Sequence, residues 1–558
     1  MKAKITAFLF IVAVVFGGLR LEIGDAGPLG KKAVRETASK IPYDQVADSV
    51  DALYRRNSYP TVNTAVEYDI TSARDTVVRV NVTAGLPCIV DEYRIIGYPF
   101  NLPVLETTIG KHFTDAKLAL DMKKLVGLLE NEGLPFAAVV VDSLSIGAAE
   151  SGYFPVRIVL SVFPGETVFL RQVVIPENLK TKAYVVERLM LFDPPERFSQ
   201  TRITKGIERV RATGWLNVSA EPQLLLDETG FWLLRVPISE NRSVAMNGIL
   251  GYTPGAGGKG KLTGHFDAAF YNIAGTGREL KLLWDQVATE KMEIEASYVE
   301  PWILGGNGDA ELTGNYYSRD STYTRREIGL KYSLPLDFNL RFINGASFRA
   351  VDPDSIGQNV YRIPASREYS IESGMEWSGL RPKINPRKGI YAKLTLQGSY
   401  IDRSGPDFLF EDFDKNEPML RLKSDFKTAF EVLHEQVLFV GIHNRSAFSK
   451  KQLPLSDRYY LGGWGSLRGY REEQFSAEHI LWANIEWRLL LGSEAHGYAF
   501  FDSGVLKRPK ENEDFRFSYG VGLRLNSAIG RWDVSYGVGT EDAITGGYLH
   551  VGLSTGFE

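Results

Sequence analysis

From about Arg242 to the C-terminus the sequence alternates between apolar and polar residues and shows no helical period. Leu262, Gly264, Phe266, Ala268 and Phe270 fall on one face of an extended chain, with Thr263, His265, Asp267 and Tyr271 on the other. Ile390, Ala392, Leu394 and Leu396 alternate with Tyr391, Lys393, Thr395 and Gln397 in the same way, and Leu420, Leu422, Phe426 and Phe430 with Arg421, Lys423, Asp425 and Lys427. A period of two places successive side chains on opposite faces of a strand, so each strand has one apolar and one charged face. A sandwich would bury the apolar faces against a second sheet; a membrane barrel turns them to lipid and keeps the charges in a wet lumen. Counting such segments between turn signals gives about sixteen strands, an even number as bacterial barrels require. Sixteen strands enclose an aqueous interior wide enough to hold a folded loop.

Composition fits this reading. At 558 residues the chain is too long for one compact domain, and two to four are expected. Hydrophobic content is 44% and mean hydropathy −0.14, and no apolar run reaches the ~18 residues that a spanning helix needs. A helical membrane protein is excluded; a barrel, which shows lipid only alternate residues, is not. A net charge of −4 supplies no basic field for phosphate, so no nucleic-acid role is expected. One cysteine, Cys88, allows no intramolecular disulfide, and the seven histidines have no metal-ligand spacing. With no Gly-x-Ser-x-Gly elbow and no Walker-type loop, the expectation is no catalytic residue, metal, cofactor or enzyme activity.

Residues 1–26 read as a signal peptide: Lys2 and Lys4, an apolar core from Ile5 to Phe16, and Gly24-Asp-Ala26 as a small-residue cleavage site. From Lys31 to Glu240 the chain repeats at about 80 residues, each unit a helix, an aromatic turn and two strands. The helices are expected at Tyr43–Arg56, Thr114–Asn131 and Phe198–Ala212, with Tyr59, Phe136 and Trp215 at the hand-over to the sheet. Strand pairs follow at Val62–Ile70 with Thr76–Val82, Ala137–Leu144 with Tyr153–Val162, and Val218–Leu225 with Trp232–Ile238. The second and third units also open with a strand, Cys88–Ile96 and Thr167–Ile175, whereas the first lacks a clear one and reads as degenerate, or as starting nearer Leu19. The modules are therefore 27–85, 86–165 and 166–241, followed by a strand region over 242–558.

One loop in that region stands apart. Leu461-Gly-Gly-Trp-Gly-Ser-Leu-Arg-Gly-Tyr470 sets Trp464, Leu467 and Tyr470 around one charge, Arg468, whose planar fork suits a buried carboxylate. Loop tips are usually polar, so this one reads as built to dock. It joins strands eleven and twelve, and Arg468 lies about nine residues before strand twelve. That is a reach of about 30 Å against an apolar band about 25 Å tall. Trp482, Asn484, Glu486 and Arg488 share a face of strand twelve, and Tyr498, Phe500 and Asp502 a face of strand thirteen. Arg468 and two carboxylates can meet inside the pore. An arginine between them keeps both ionised, which favours a latch over acid–base chemistry.

Leu467-Arg468-Gly469-Tyr470 resembles the [Val/Ile/Leu]-Arg-Gly-[Phe/Tyr] signature of the BamA/TamA superfamily of outer-membrane barrel assembly proteins. In that family the signature sits on the sixth extracellular loop, folded into the barrel lumen. Asn484-Ile-Glu-Trp-Arg488 and Phe500-Phe-Asp-Ser-Gly504 resemble its Glu-aromatic-Arg and Phe-x-Asp-x-Gly elements. The resemblance makes Glu486 and Asp502 the partners of Arg468. It implies α+β POTRA modules of β-α-α-β-β order before a sixteen-stranded antiparallel transmembrane barrel, in layout nearest the TamA branch. The implied place is the bacterial outer membrane with the modules in the periplasm. The implied work is folding or inserting client barrel proteins by β-augmentation and through a lateral seam; the partners are unfolded clients, the outer-membrane bilayer, and an inner-membrane or periplasmic component left open. The alternative is a two-partner-secretion transporter that exports one passenger through the pore. At the seam, Gly248 and Gly251 of strand one face Gly552 and Gly556 of strand sixteen, and each glycine removes a cross-strand side-chain pair. Phe557 resembles the C-terminal signal of outer-membrane barrels, although Glu558 stands where an aromatic is usual and Thr555 where an apolar residue is commoner.

Overall fold

The computed structural model describes residues 18–554, except 73–74, 254–260, 287–290, 320–321, 383–384, 493–494, 510–511, 528–529 and 541. The chain forms two compact units, Met1–Leu170 with Pro195–Arg202, and Arg171–Pro194 with Ile203–Glu558. In the first module Gly18–Ile23 runs parallel to Asp75–Thr83, which pairs antiparallel with Asn63–Ser72. Helices Gly30–Ala38 and Val46–Arg56 cover this sheet. Val46, Val50 and Tyr54, four residues apart, bury one stripe against Val78 and Val80. The first module is therefore a complete β-α-α-β-β unit, not a degenerate one. Its opening strand takes residues that the sequence reading gave to the end of the signal peptide. The alternation of Leu19, Leu21 and Ile23 is hidden there by the apolar run before it. The rest of that leader, residues 1–17, lies outside the described residues.

The departure from the repeat lies in the second module. Cys88–Ile96 is parallel to Phe154–Phe163, which pairs antiparallel with Ala138–Ile146, but Asp115–Asn131 is the one helix among its described residues. Thr114 caps that helix, its hydroxyl accepting from Lys117 N at 3.3 Å. The preceding stretch contains Pro99 and Pro103, which remove backbone donors and disfavour a helix. The fully buried Asp121 pins it instead, accepting from Glu106 N at 2.7 Å, Thr107 N at 2.9 Å and the Tyr93 hydroxyl at 3.3 Å. Burial, with Asp121 beside it, pushes the Tyr93 hydroxyl well above its ordinary range, and burial pushes the Cys88 thiol up.

The third module carries Phe169–Val174 and helices Ala183–Leu189 and Gln200–Ala212. Its closing strands are broken into Leu216–Val218, Gln223–Leu226, Trp232–Arg235 and Ile238–Glu240, with Pro222 and Pro237 at the breaks. Trp232–Arg235 is interior, paired with Gln223–Leu226 and next to Phe169–Val174. The same holds for the last strands of the first two modules, because the opening strand adds parallel beside each. Each three-stranded sheet has two edges, its opening and its penultimate strand, and the four-stranded sheet of the third module ends in Gln223–Leu226 and Glu196–Arg197; of these edges Ala138–Ile146 is the longest run exposed on both faces.

Sixteen antiparallel strands follow, each paired with its sequence neighbours: strand one (Val244–Thr253), two (Lys261–Ile273), three (Arg278–Gln286), four (Lys291–Glu300), five (Asp309–Arg319), six (Tyr323–Pro335), seven (Leu340–Pro353), eight (Ala365–Ser378), nine (Lys388–Ser404), ten (Asn416–Leu433), eleven (Gln436–Phe448), twelve (His479–Leu490), thirteen (His496–Lys507), fourteen (Asp514–Ser527), fifteen (Gly530–Gly539) and sixteen (Tyr548–Ser554). Phe515, Phe517, Tyr519, Val521, Leu523 and Leu525 of strand fourteen form one exposed row, the pattern of a wall turned to lipid. The third module docks on the turns after strands two, four, six and eight. Lys182 N donates to Gly275 O at 3.0 Å, Arg188 to Gly306 O at 3.0 Å, and Arg209 to Phe338 O at 3.3 Å; Glu208 meets Arg381 at 3.7 Å. The loop between strands eleven (Gln436–Phe448) and twelve (His479–Leu490) follows an odd-numbered strand, so it belongs to the other end of the barrel.

Candidate functional site: a loop clasped inside the barrel

The loop folds as an element of its own. Tyr459–Leu461 pairs with Phe475–Ala477 as a short hairpin, and Leu461, Leu467 and Ala477 form an apolar core with Ile480 and Leu506 of the wall. This core sets the depth at which Arg468 is presented.

Strands twelve and thirteen (His496–Lys507) supply the socket. In strand twelve Leu481, Ile485, Trp487 and Leu489 face outward, which turns Asn484, Glu486 and Arg488 to the lumen. Arg468 is 4% exposed, Glu486 5% and Asp502 0%, so all three are out of water. Arg468 Nη1 donates to Glu486 Oε1 at 2.7 Å, while Nη2 and Nε donate to Asp502 Oδ1 and Oδ2 at 2.7 and 2.8 Å. Its backbone N–H also donates to Asp502 Oδ2, at 3.1 Å. The guanidinium lies 3.8 Å over the Phe500 ring centroid, an arrangement in which charge and stacking add. A planar fork meets Asp502 with two parallel hydrogen bonds while a third donor reaches Glu486 on the neighbouring strand; an ammonium has no such fork. Arg488 occupies the other oxygen of Glu486, with Nε donating at 2.8 Å, and Asn484 donates to both Ser466 O and Asp502 Oδ1 at 2.8 Å. The buried charges are thus hydrogen-bonded on all sides, the condition under which burial is tolerable.

The other motif residues reach strands fourteen to sixteen. Gly469 has φ +85°, and a Cβ there would lie 3.0 Å from Gly537 C and Ser518 Cβ, so both conformation and space require glycine. Its N–H donates to His550 Nε2 at 3.2 Å. The Tyr470 hydroxyl donates to Phe517 O at 2.9 Å and accepts from Thr540 N at 3.0 Å. On the far side of the seam, Lys291 of strand four meets Glu473 at 2.6 Å. The loop tip therefore touches strand sixteen and strand four at once.

The seam glycines acquire a different reading. A Cβ on Gly552 would lie 2.6 Å from the Trp464 ring, so this glycine makes room for the loop tip. Gly248 pairs with Phe266, whose ring lies 3.1 Å from where its Cβ would be, and Gly251 pairs with Thr263. Gly556 and Phe557 lie outside the described residues. Sequence reasoning missed His550, Thr540 and Gly537, whose added Cβ would stand 2.7 Å from Gly469 N, and Gly520, whose Cβ would stand 2.6 Å from Phe500. The available signal was a row of alternate glycines on adjacent strands, Gly520 and Gly522 beside Gly537 and Gly539. Strands two to six line a polar cavity of about 670 Å³ whose lining includes His265, Asp267, Lys281, Glu293, Glu295 and Arg325.

Comparison with known proteins agrees with this architecture. The chain is 21% identical over 467 residues to the outer membrane protein assembly factor BamA of Nitratidesulfovibrio vulgaris, an alignment covering 77% of this chain and 55% of that protein. The chain thus spans about half the length of the curated relative it matches. Among solved structures, BamA from Haemophilus ducreyi lacking POTRA domains 1–3 aligns over 83% of this chain and 98% of its own, with 18% identity and a TM-score of 0.49. CdiB from Acinetobacter baumannii aligns over 81% and 86%, with 16% identity and the same TM-score of 0.49. The Omp85 superfamily domain matches residues 272–557, just over half of the chain, and it takes in the pore loop and both carboxylate strands. By that match the chain belongs to the Omp85 superfamily.

Proposed function

We propose that this protein assembles other barrel proteins into the bacterial outer membrane, its three modules in the periplasm, its barrel in the bilayer, and no chemical step or cofactor involved. The observation that carries the reading is the loop held in the lumen: its tip is clasped by buried ion pairs to strands twelve and thirteen and touches strands sixteen and four. A client cannot thread a pore so occupied without breaking that clasp, whereas a route sideways through the wall leaves it in place. Gly248, Gly251 and Gly552, the last also making room for Trp464, carry no side chain to pair across the seam, and each omits a pair contributing about 0.2–1 kcal/mol; Gly556, outside the described residues, is expected to act likewise. Strands of an unfolded barrel are unpaired edges, and the exposed edge Ala138–Ile146 offers them a template before they reach the seam. Leu467, Arg468, Gly469 and Tyr470, with Glu486 and Asp502, then act as the latch that holds the loop, and Phe557 as the signal by which this barrel is itself inserted.

Depletion of the protein followed by outer-membrane proteomics tests the reading. Loss of many barrel proteins is expected. Loss of one secreted protein with the barrels intact would assign the chain to two-partner secretion.

A further inference from the structure

The pore loop is fastened at a second place, before it reaches its tip. The short turn Leu455–Asp457 sends Asp457 into a cluster of charges on strands seven to ten. Arg403 Nη2 donates to Asp457 Oδ2 at 3.2 Å and Arg403 Nη1 to Glu417 Oε2 at 2.9 Å. Arg349 stands 3.9 Å from Asp457 and 3.2 Å from Glu368, which also pairs with Arg421. None of these six side chains is more than 14% exposed. The buried part of the cluster holds three cations (Arg349, Arg403 and Arg421) and three anions (Glu368, Glu417 and Asp457), with the more exposed Glu327 a further partner of Arg349 at 3.3 Å. Five of the six belong to the wall; Asp457 alone comes from the loop. Withdrawing it leaves Arg403 paired with Glu417 alone and takes a carboxylate from Arg349, so two buried cations lose part of the compensation that burial demands. The same arm is stiffened by Arg458, whose Nε donates to Leu453 O at 2.8 Å, and by Glu478, which accepts from Leu453 N at 3.2 Å.

We propose that Asp457 is a second anchor of the pore loop, independent of Arg468, so that the loop is braced across the lumen between strands seven to ten and strands twelve and thirteen. This rests on the reading of the loop as a functional clasp. Independence follows from the partner sets: Asp457 uses Arg403 and Arg349, Arg468 uses Glu486 and Asp502, and no side chain serves both. One consequence is that removing Arg468 loosens the tip without releasing the arm. The competing account is that the arm is held by apolar packing alone, through the fully buried Leu453 against Ile401, Met419 and Ala447.

The test reads loop docking, not client assembly, so it can fail while the assembly reading stands. The full chain carrying Cys88→Ser and a reporter Leu461→Cys, a position fully buried here, is reconstituted in liposomes and labelled with a polar maleimide. Asp457→Asn and Arg468→Gln are each expected to speed labelling roughly tenfold, and the pair by about the product of the two, as unlinked contributions do. Asp457→Glu restores most of the protection. Barrel formation is checked in each variant by heat-modifiable migration. If Asp457→Asn does not form a barrel, Arg403→Lys replaces it; it loses the fork that spans Glu417 and Asp457, and a smaller rise is expected. Labelling at the parent rate in Asp457→Asn or Arg403→Lys, or a double variant no faster than Arg468→Gln alone, would overturn the proposal.

Discussion

Arg468 shows how far one side chain can be read and where reading stops. Its sequence neighbours, and the two strands carrying Glu486 and Asp502, were enough to bring the three together, because alternation fixes which residues of a strand face the lumen. Replacing it by alanine leaves two buried carboxylates without their shared cation, a local cost of roughly 3–5 kcal/mol. The sixteen-strand ladder absorbs that, so Arg468→Ala is expected to keep heat-modifiable migration while client assembly falls; wild-type assembly by the folded variant would refute the latch. Arg468→Lys should fall between the two, since an ammonium keeps the charge but loses the bidentate fork on Asp502 and the stacking on Phe500. The glycine socket was not legible in the same way. Gly537 and Gly469 are far apart in the sequence, and only the folded barrel shows that a Cβ on Gly537 would stand 2.7 Å from Gly469 N. Gly537→Ala should therefore displace the loop tip and reduce assembly about as much as Arg468→Ala, although no motif marks it; assembly at the parent level would show the close approach to be unimportant.

At the scale of elements, legibility followed periodicity. The helices Val46–Arg56, Asp115–Asn131 and Gln200–Ala212 carry apolar stripes long enough to see. Gly30–Ala38 is short and polar, with Val34 and Ala38 as its buried residues, and gave no signal. Strand pairing between distant segments leaves no local mark, so the addition of each opening strand beside the last strand of its module shows only in the folded sheet. Photo-crosslinkers at Val140 and Leu144 on the exposed edge of the second module should capture unfolded clients more often than probes at Lys123 on its helix; equal capture would reduce the modules to spacers. The joint between the third module and the barrel adds a pH dependence. Glu240 accepts from Thr181 N and Oγ1 at 2.7 and 2.5 Å, and Thr181 Oγ1 accepts from Asn272 at 2.8 Å. Burial acts to raise the Glu240 carboxyl, but the hydrogen bonds from Thr181 and the Lys180 backbone outweigh it and hold the group below its ordinary range. A lowered folded-state value stabilises the joint above the ordinary carboxylate range, and that contribution is lost as pH falls through the lowered value. Hydrogen-exchange protection at the turn Ala274–Gly277 should drop over that interval, and Glu240→Gln should abolish the drop; an unchanged profile would show that Glu240 does not carry it.

For the whole molecule, strand number and membrane-facing pattern were readable because a barrel repeats one rule sixteen times, and errors in single strand ends do not accumulate. What the molecule does with its wall is a question of energetics at one place. On the proposed reading, a loop braced inside the lumen hinders the straight route and makes the seam between Val244–Thr253 and Tyr548–Ser554 the way out for a client. Locking that seam tests the claim most directly. Cysteine pairs are placed across strands one and sixteen in a Cys88→Ser chain, oxidised in the membrane, and client-barrel assembly is measured before and after reduction. The expected result is that assembly stops in the locked protein and returns when the bridge is reduced. Undiminished assembly by a fully oxidised protein would contradict the lateral route and place the client's path through the lumen.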